Sequence, residues 1–542
     1  MADARIDEGL RLFNIQVPGQ LHGKVAFHNA TLFIASEYVN EPQVIDFEMK
    51  LRRLNVLENV EQVSIKLLDD IHKRGTSARG VRGYEESTEL RKAYSLLDQA
   101  VRMSASDIHI VVSDVHAEIK MRVDGYLGVQ AEILREEAMN LLRALYVASG
   151  SKNMNQFGFD KPIAARLTRS NRDFKLPNDL YAVRFASMGS DDGGIVVLRL
   201  LYDGISSRGK KKQEIQLEDL GFFPEQAVLL KEMAEAPNGM IIIDGPTGSG
   251  KSTTLKFTMQ WIHETYPHFN ILTVEDPPEY PIAGSTQIPV SVQDDNGGEG
   301  DRGRQYGSAI STALRLDPDI LMVGEIRDGH SAIAALRAGE TGHRLWSTLH
   351  ANDAWEALNR VIDLLREGGM VDPLPVLANT QNLAGLIAQR LVPKLCENCK
   401  RPLAEHRETV PHVVLTELLD ADPSIDLDNI YIRGHGCIEC VPMADGDEAR
   451  QAADQRHGIL GRTVVAEIVR PDQTLLDIAR RDGIPAARQY WLQAHNGLLI
   501  ADAAVEKIKG GIIDPVVARE FIGPLLTGKQ VLARMGGPAL VE

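Results

Sequence analysis

Short apolar runs punctuated by polar turns occupy the first 205 residues, and longer apolar runs alternating with helical spacing follow them. Within residues 1–90, Lys24-Val25-Ala26-Phe27 and Thr31-Leu32-Phe33-Ile34 precede a charged stretch near 45–73 whose spacing predicts a helix. Between 91 and 205, Asp107–Val112 and Ala117–Val123 alternate apolar with polar, as paired strands do. Asp124-Gly125 supplies a turn signal after them, a two-residue hairpin being one option. Ala182–Phe185 and Ile195–Leu200 form a second such pair around a Gly- and Asp-rich loop. From about 215 to 395 strands alternate with helices, which predicts a parallel sheet covered by helices on both faces. Residues 294–304, rich in glycine and charge, predict a loop, and 465–542 predict mostly helix. Arg74–Gly83 and Lys210–Gln213 have the composition of linkers. The pattern divides the chain at 1–90, 91–205, a linker at 206–220, 221–390, 391–445 and 446–542.

The apolar run Met240-Ile241-Ile242-Ile243 predicts a buried strand, and Thr253–Phe257 predicts the start of a helix. Between them stands Gly245-Pro246-Thr247-Gly248-Ser249-Gly250-Lys251-Ser252, which fits G-x-x-x-x-G-K-[ST]. A strand, a glycine loop and a helix N-terminus together form a phosphate cradle, because glycine lets backbone N–H groups turn toward an anion. Lys251 has the reach for β- and γ-phosphates, and Ser252 for Mg2+. These residues predict a nucleoside triphosphate site.

Charge and cysteine usage narrow the picture. The 542 residues carry 59 basic and 75 acidic side chains, a formal net charge of −16, with 44% hydrophobic and 25% charged residues. A chain this long exceeds one core, and the acidic balance argues against bulk nucleic-acid binding. No apolar run approaches the roughly 20 residues needed to span a bilayer, and the N-terminus lacks a secretory signal pattern, so the expected location is cytoplasmic. The four cysteines, Cys396, Cys399, Cys437 and Cys440, form two C-x-x-C pairs. Such pairs supply a tetrahedral thiolate set for Zn2+, against the alternatives of unpaired thiols or a redox pair. Four thiolates leave no open coordination position, so the expected role is structural.

Three further segments carry candidate chemistry. Ile271–Glu279 is an apolar strand ending in Glu275, Asp276 and Glu279, which at the carboxyl edge of a parallel sheet would face a bound nucleotide. In Asp317–Asp328, four apolar residues precede Gly324 and Glu325, and Glu325 is the candidate to polarise water. Thr341–His350 ends an apolar strand at His350, positioned to sense a γ-phosphate or couple to a neighbour.

In this order, GPTGSGKST, TVEDPPEY, LRLDPDILMVGEIRD, TGHRLWSTLHAND and QRLVPKLCENC with GCIEC resemble the secretion and type IV pilus assembly ATPases of bacteria, the motors of type II secretion and pilus extension. The upstream ASDIHI and RVDGYL resemble that family's second N-terminal domain, so the resemblance covers about 95–490. It implies an α/β fold: a RecA-like P-loop NTPase core, a smaller preceding α/β (PAS-like) domain and a zinc-binding module. Gly245 through Thr253 (Gly245, Pro246, Thr247, Gly248, Ser249, Gly250, Lys251, Ser252, Thr253) would bind ATP, with Ser252 holding Mg2+. Glu325 would be the catalytic carboxylate, Glu275 part of an acidic box, and His343 and His350 the box histidines. Arg184 and Arg199 would swing toward the γ-phosphate when the domains close. The implied partners are copies of the chain in a hexameric ring and an inner-membrane platform protein, which would make membrane contact indirect.

The remodelled turn at Phe185–Asp192, the segment at 294–304 and a polar insertion before His457 depart from the family pattern, and residues 1–90 show no match, leaving an accessory docking domain as their expected role. A retraction or conjugative DNA-transfer motor is the alternative within the superfamily. A zinc-ribbon nucleic-acid-binding protein switched by ATP is the alternative of another class, and the few interleaved aromatics speak against it.

Overall fold

The computed structural model describes residues 21, 24–28, 31–39, 41–53, 59–64, 88–149, 157–169, 174–202, 217–290, 299–437, 439–440 and 457–534. They group into two compact units, the first drawn from Met1–Val123 and Leu127–Leu200 and the second from Leu201–Val441 and Arg456–Glu542 together with Asp124–Tyr126.

The first unit holds two sheets. Strands β1 (Val25–His28) and β2 (Thr31–Ala35) pair antiparallel, and helix α1 (Pro42–Arg53) leads to β3 (Asn59–Val63), which pairs parallel with β2. Leu21, Val25, Leu32, Ile34, Val44 and Phe47 form the small core. Charged spacing predicted one helix through this region. The described helix covers Pro42–Arg53, and 59–63 is a strand, with Val60 packed against that core and Val63 against Ala35.

Helix α2 (Thr88–Arg102) buries Ala93, Leu96, Leu97 and Ala100, an apolar stripe at helical spacing. After it come β4 (Asp107–Val112), β5 (His116–Val123), β6 (Tyr126–Leu134), α3 (Arg135–Ala148), β7 (Ile163–Thr168), β8 (Leu180–Ser190) and β9 (Gly193–Tyr202). The strand order is β6-β5-β4-β9-β8-β7, with β4 antiparallel to β5 and β9, and β7 antiparallel to β8. The connection between β5 and β6 is the two-residue Asp124-Gly125 turn, both residues at positive φ, 50° and 95°. That is the hairpin geometry matching strand twist.

The second unit is built on one seven-stranded sheet. Helix α4 (Pro224–Glu235) leads into β10 (Gly239–Asp244), α5 (Lys251–Thr265), β11 (Ile271–Glu275), β12 (Ser285–Pro289), α6 (Glu299–Ala313), β13 (Ile320–Val323), α7 (Gly329–Glu340), β14 (Arg344–Leu349), α8 (Ala354–Glu367) and β15 (Leu383–Leu395). The short pair β16 (Arg401–Pro402) and β17 (Tyr431–Ile432) flanks α9 (His412–Ala421). The long β18 (Ile459–Val469) precedes helices α10 (Gln473–Asp482), α11 (Ile484–Ala494), α12 (Ile500–Lys509), α13 (Pro515–Ile522) and α14 (Gly528–Arg534).

The strand order β12-β11-β13-β14-β10-β15-β18 is parallel except for β18, antiparallel to β15 at the edge. Ile271, Ile320, Arg344 and Gly239 are register partners across neighbouring strands, so these strands start level. All six residues of β10 are buried, as expected of a strand covered on both faces. Its side chains alternate between two cores. Met240 and Ile242 join the core that includes Leu321, Val323 and residues of α7 and α8, and Ile241 and Ile243 join the one that includes Leu255 and Met259 of α5.

Residues 299–304 are helical rather than a loop, whereas 294–298 lie outside the described residues. The glycines that suggest a loop serve packing: α6 lies against α7, with Gly303 facing the carboxylate of Asp328 and Gly307 the carbonyl of His330. Arg74–Gly83, Lys210–Gln213 and the polar insertion ending before His457 also lie outside the described residues. Among the described residues, no helix is long and apolar enough to cross a membrane.

A side chain at Gly303 would displace Asp328, whose carboxylate caps α7 through the Ser331 amide. Gly303→Val should therefore lower stability by about 1–3 kcal/mol, the cost of overpacking a close helix contact. Thermal denaturation of the full chain checks this, since a loop at 303 would leave the melting temperature unmoved.

Candidate active site and metal centre

The glycine loop begins where the buried strand β10 leaves the sheet at Gly245. Gly245, Gly248 and Gly250 have φ of 146°, 81° and 89°, a region unfavourable to residues with a Cβ. Gly250 is the N-cap of α5, so the unpaired amides and the positive end of the helix dipole meet the loop. Pro246 and Thr247 are exposed, Ser249 is buried, and Ser252 and Thr253 lie half-buried in the first turn. Lys251 is 8% exposed, and its ammonium donates to the carbonyls of Gly245 at 2.6 Å and Pro246 at 3.2 Å. Burial lowers its pKa to about 8, against the raising influence of Glu325, Asp244 and Glu279. Such an environment suits an anion that would take over the lysine's hydrogen bonds.

Because the strands run parallel, the residues after β13 and β14 reach the same edge. The Lys251 Nζ lies 3.5 Å from His350 Nδ1, and His350 Nε2 lies 3.3 Å from Glu325 Oε1. A neutral ring with its proton on Nε2 satisfies both contacts, accepting from lysine and donating to the carboxylate. Arg327 Nε donates to Glu325 Oε2 at 2.9 Å, and its Nη1 to Asp276 at 3.4 Å. Lys251, His350, Glu325, Arg327 and Asp276 thus form one connected row at the mouth of the loop. Glu325 keeps 23% of its side chain exposed, enough for water to reach it.

The segment carrying Glu325 is held from behind. The Tyr306 hydroxyl donates to the Val274 carbonyl at 2.9 Å and accepts from the Glu325 amide at 3.4 Å. Thr348 Oγ1 donates to the Gly324 carbonyl at 2.7 Å, and the Ile326 amide donates to the Thr348 carbonyl at 3.0 Å. Glu275, by contrast, is 6% exposed, and one of its oxygens accepts from Thr273 Oγ1 at 2.7 Å and Gln287 Nε2 at 2.9 Å. These bonds anchor Glu275 within its own side of the sheet.

His343 stands apart from the other candidates. It precedes β14 and its carbonyl accepts from the Gly239 amide, at the amino edge of the sheet. Six strand residues, about 20 Å at 3.3 Å each, separate that edge from His350. Within one chain the two histidines therefore do not meet. Arg184 and Arg199 belong to the first unit. Arg184 on β8 sits opposite Arg166 on β7, and Arg199 donates from Nε to Asp107 at 2.9 Å in a row shared with Arg122.

Arg327, Tyr306, Gln287 and Asp244 carry roles that the motifs did not announce. Asp244 had a signal, a carboxylate ending an apolar run. It is fully buried, neither oxygen has a hydrogen-bond partner among the described residues, and burial raises its pKa to about 7. Across the sheet Asp244 pairs with Ala388 and Ala388 with Glu467, which is 1% exposed. Burial raises the Glu467 pKa to about 8, with Asp353 and Asp244 adding to the rise and Arg488 opposing it.

The cysteine cluster forms where β15 ends. Cys396 and Cys437 sulfurs are 3.6 Å apart, Cys399 and Cys440 3.7 Å, Cys437 and Cys440 3.8 Å, and all four lie within 4.8 Å of one another. A tetrahedral ion at about 2.3 Å from each sulfur places sulfurs about 3.8 Å apart, whereas a disulfide needs about 2.05 Å. The four thiols therefore fit one metal such as zinc.

Comparison with known proteins gives the family of the chain. The family described as type II/IV secretion system protein matches residues 86–513, and the chain belongs to that family. It is 33% identical over 390 residues to the type II secretion system protein E of Pseudomonas aeruginosa, covering 71% of this chain and 66% of that protein. It is 31% identical over 419 residues to the type II secretion system ATPase E of Vibrio cholerae, covering 77% and 72%. It is also 32% identical over 414 residues to the type IV pilus assembly ATPase PilB of Thermus thermophilus, covering 75% of this chain but 41% of the relative. The match thus spans about two thirds of some of these relatives and less of others. In fold, the chain resembles the Legionella pneumophila ATPase DotB, with a TM-score of 0.52 at 20% identity over 79% of this chain and 94% of that one.

Because Asp244 and Glu467 hold protons in the folded state that the unfolded chain would release near pH 4, folding binds protons and stability falls as pH rises toward 7–8. Asp244→Asn removes one such contribution. The melting temperature of the variant relative to the parent should therefore shift upward between pH 5 and pH 8.5 in the nucleotide-free protein. A difference that stays flat with pH would show Asp244 to be charged throughout.

Proposed function

We propose that the chain is a motor ATPase that hydrolyses ATP to power assembly of a type IV pilus or of the pseudopilus of type II secretion. One observation carries this reading: the unbroken row from Lys251 through His350 to Glu325 and Arg327 at the mouth of the glycine loop. ATP phosphates would lie along residues 245–253, with Lys251 on the β- and γ-phosphates and Ser252 holding Mg2+. Bound Mg2+ supplies charge neutralisation at the phosphate oxygens. Glu325 polarises the attacking water, and His350 links it to Lys251, so the carboxylate can register whether the lysine has been drawn to phosphate. Glu275, tied to Thr273 and Gln287, holds the acidic side of the site in place.

Residues 221–390 with 446–542 act as a RecA-like engine, 391–445 as its zinc-stabilised module, 91–205 as a PAS-like arginine-bearing domain, and 1–90 as an accessory docking domain. Arg184 and Arg199 neutralise developing charge on the γ-phosphate when the units close, and the ion pair of Arg199 with Asp107 is exchanged for it. His343, remote from the site of its own chain, contributes through the ring rather than through its own active site. Copies form a hexameric ring in the cytoplasm, peripheral to the inner membrane through a platform protein. ATP drives the cycle only through its higher affinity for the closed arrangement.

Glu325→Gln keeps size but removes the charge and one of the two acceptor oxygens that His350 and Arg327 engage. It should cut ATP turnover by about 10²–10⁴-fold while nucleotide affinity stays within a few-fold of the parent, measured by phosphate release and equilibrium binding. Turnover at the parental level would remove Glu325 from the chemistry. The cysteine cluster should hold one zinc per chain by elemental analysis. Chelating it should expose residues 396–440 to amide exchange and lower the melting temperature, because a closed thiolate site contributes folding energy. Loss of turnover with the exchange pattern unchanged would instead give the metal a chemical role.

A further inference from the structure

Strand β15 passes beside the glycine loop, and its apolar run from Leu383 is first broken at Gln389. Gln389 follows Ala388, the register partner of Asp244, so it lies level with the point where β10 gives way to Gly245. It is 0% exposed. Burying an amide is costly unless both ends are bonded. Here both are: Nε2 donates to the Ser249 carbonyl at 2.7 Å, and Oε1 accepts from Thr254 Oγ1 at 2.9 Å. A carbonyl only accepts, so the nitrogen must face Ser249 and the orientation of the amide is determined by its neighbours. The contact is close enough to require the loop's glycines. A Cβ on Gly250 would stand 3.2 Å from Gln389 Nε2, and one on Gly245 would stand 2.5 Å from the Gln389 carbonyl oxygen.

The consequence follows from the peptide bond. The Ser249 carbonyl and the Gly250 N–H belong to one planar trans unit and point in opposite directions. Holding the carbonyl toward β15 therefore turns the Gly250 amide away from β15. Gly250 is the N-cap of α5, whose amide has no partner within the helix, and it is there that an anion is received. Without the bond, the buried Ser249 carbonyl would lose its donor, and rotation of the peptide would present an oxygen to the phosphate. We propose that Gln389 is a positioning residue of the phosphate site, holding the Ser249 carbonyl so that the Gly250 amide faces the β-phosphate of a bound nucleotide. The inference rests on the nucleotide reading above and extends it to a residue outside the loop.

The test compares ADP, AMP and pyrophosphate binding to the full chain and to Gln389→Met, which keeps length and burial but cannot donate. ADP and pyrophosphate affinities should fall about tenfold, the size of one lost charge-assisted contact, while AMP affinity, which lacks the β-phosphate, stays unchanged. Gln389→Glu should bind ADP well at pH 5.5, where a protonated carboxyl can donate to Ser249, and poorly at pH 8.5. The parent should lose less ADP affinity over that range, only the part that deprotonation of Lys251 contributes, so the loss in the variant is read relative to the parent at each pH. If Gln389→Met does not fold, Gln389→Glu alone decides by its pH profile. Equal ADP affinity in parent and variants, or parallel loss of ADP and AMP, overturns the positioning role. Failure of the parent chain to bind ADP or pyrophosphate would instead overturn the nucleotide reading, and this inference with it.

Discussion

The level start of parallel strands organises the second unit. Ile271, Ile320, Arg344 and Gly239 are partners across four strands that run the same way. The chain therefore leaves the sheet along one edge, placing Asp276, Glu325, His350 and Gly245 together although long helices separate them in sequence. Helices on both faces demand apolar strands, so charged residues are displaced to the positions just past each strand. Carboxyl groups that stay inside the sheet need other provision, and Glu275 is one of them. It is the last residue of β11 and still inside the sheet, so it needs Thr273 and Gln287 as partners.

Stiffness at this edge comes from polar groups buried behind it. Tyr306 and Thr348 hold the Gly324–Ile326 segment through hydrogen bonds to its backbone. Each such bond adds modest net stability, but leaving its partner unsatisfied in the interior is expensive, so the arrangement resists deformation. Asp244 and Glu467 are different. They lie inside the same sheet, and burial raises the pKa of both, so each holds its proton to a higher pH and the larger cost of buried charge is deferred. Lys251 experiences the same desolvation with the opposite sign, which readies it to gain from an incoming anion.

Strand β15 joins the two chemistries of this unit. It borders the glycine loop at Gln389 and ends at Leu395, beside Cys396. Antiparallel pairing with β18 reaches from Leu386 to Leu395, so the cysteine cluster grows from the edge of the main sheet. The close sulfur spacing is thereby tied to the same framework that positions the loop.

Local chemistry was legible in the sequence. The glycine loop, the carboxylates past apolar runs and the two C-x-x-C pairs depend on neighbours a few residues away, and the alternating strands of the first unit follow from period alone. Tertiary structure alone decided the rest. Periodicity does not encode which strands are adjacent or how they are offset, so Arg327, Tyr306 and Gln389 gained their roles only when the register brought them to Glu325 and Ser249. Strand direction removed His343 from its own site by placing it at the opposite sheet edge. Close packing against α7 made a helix of 299–304, where the glycines had suggested a loop. Composition reports which backbone conformations are permitted, and contacts distant in sequence determine which of them is adopted.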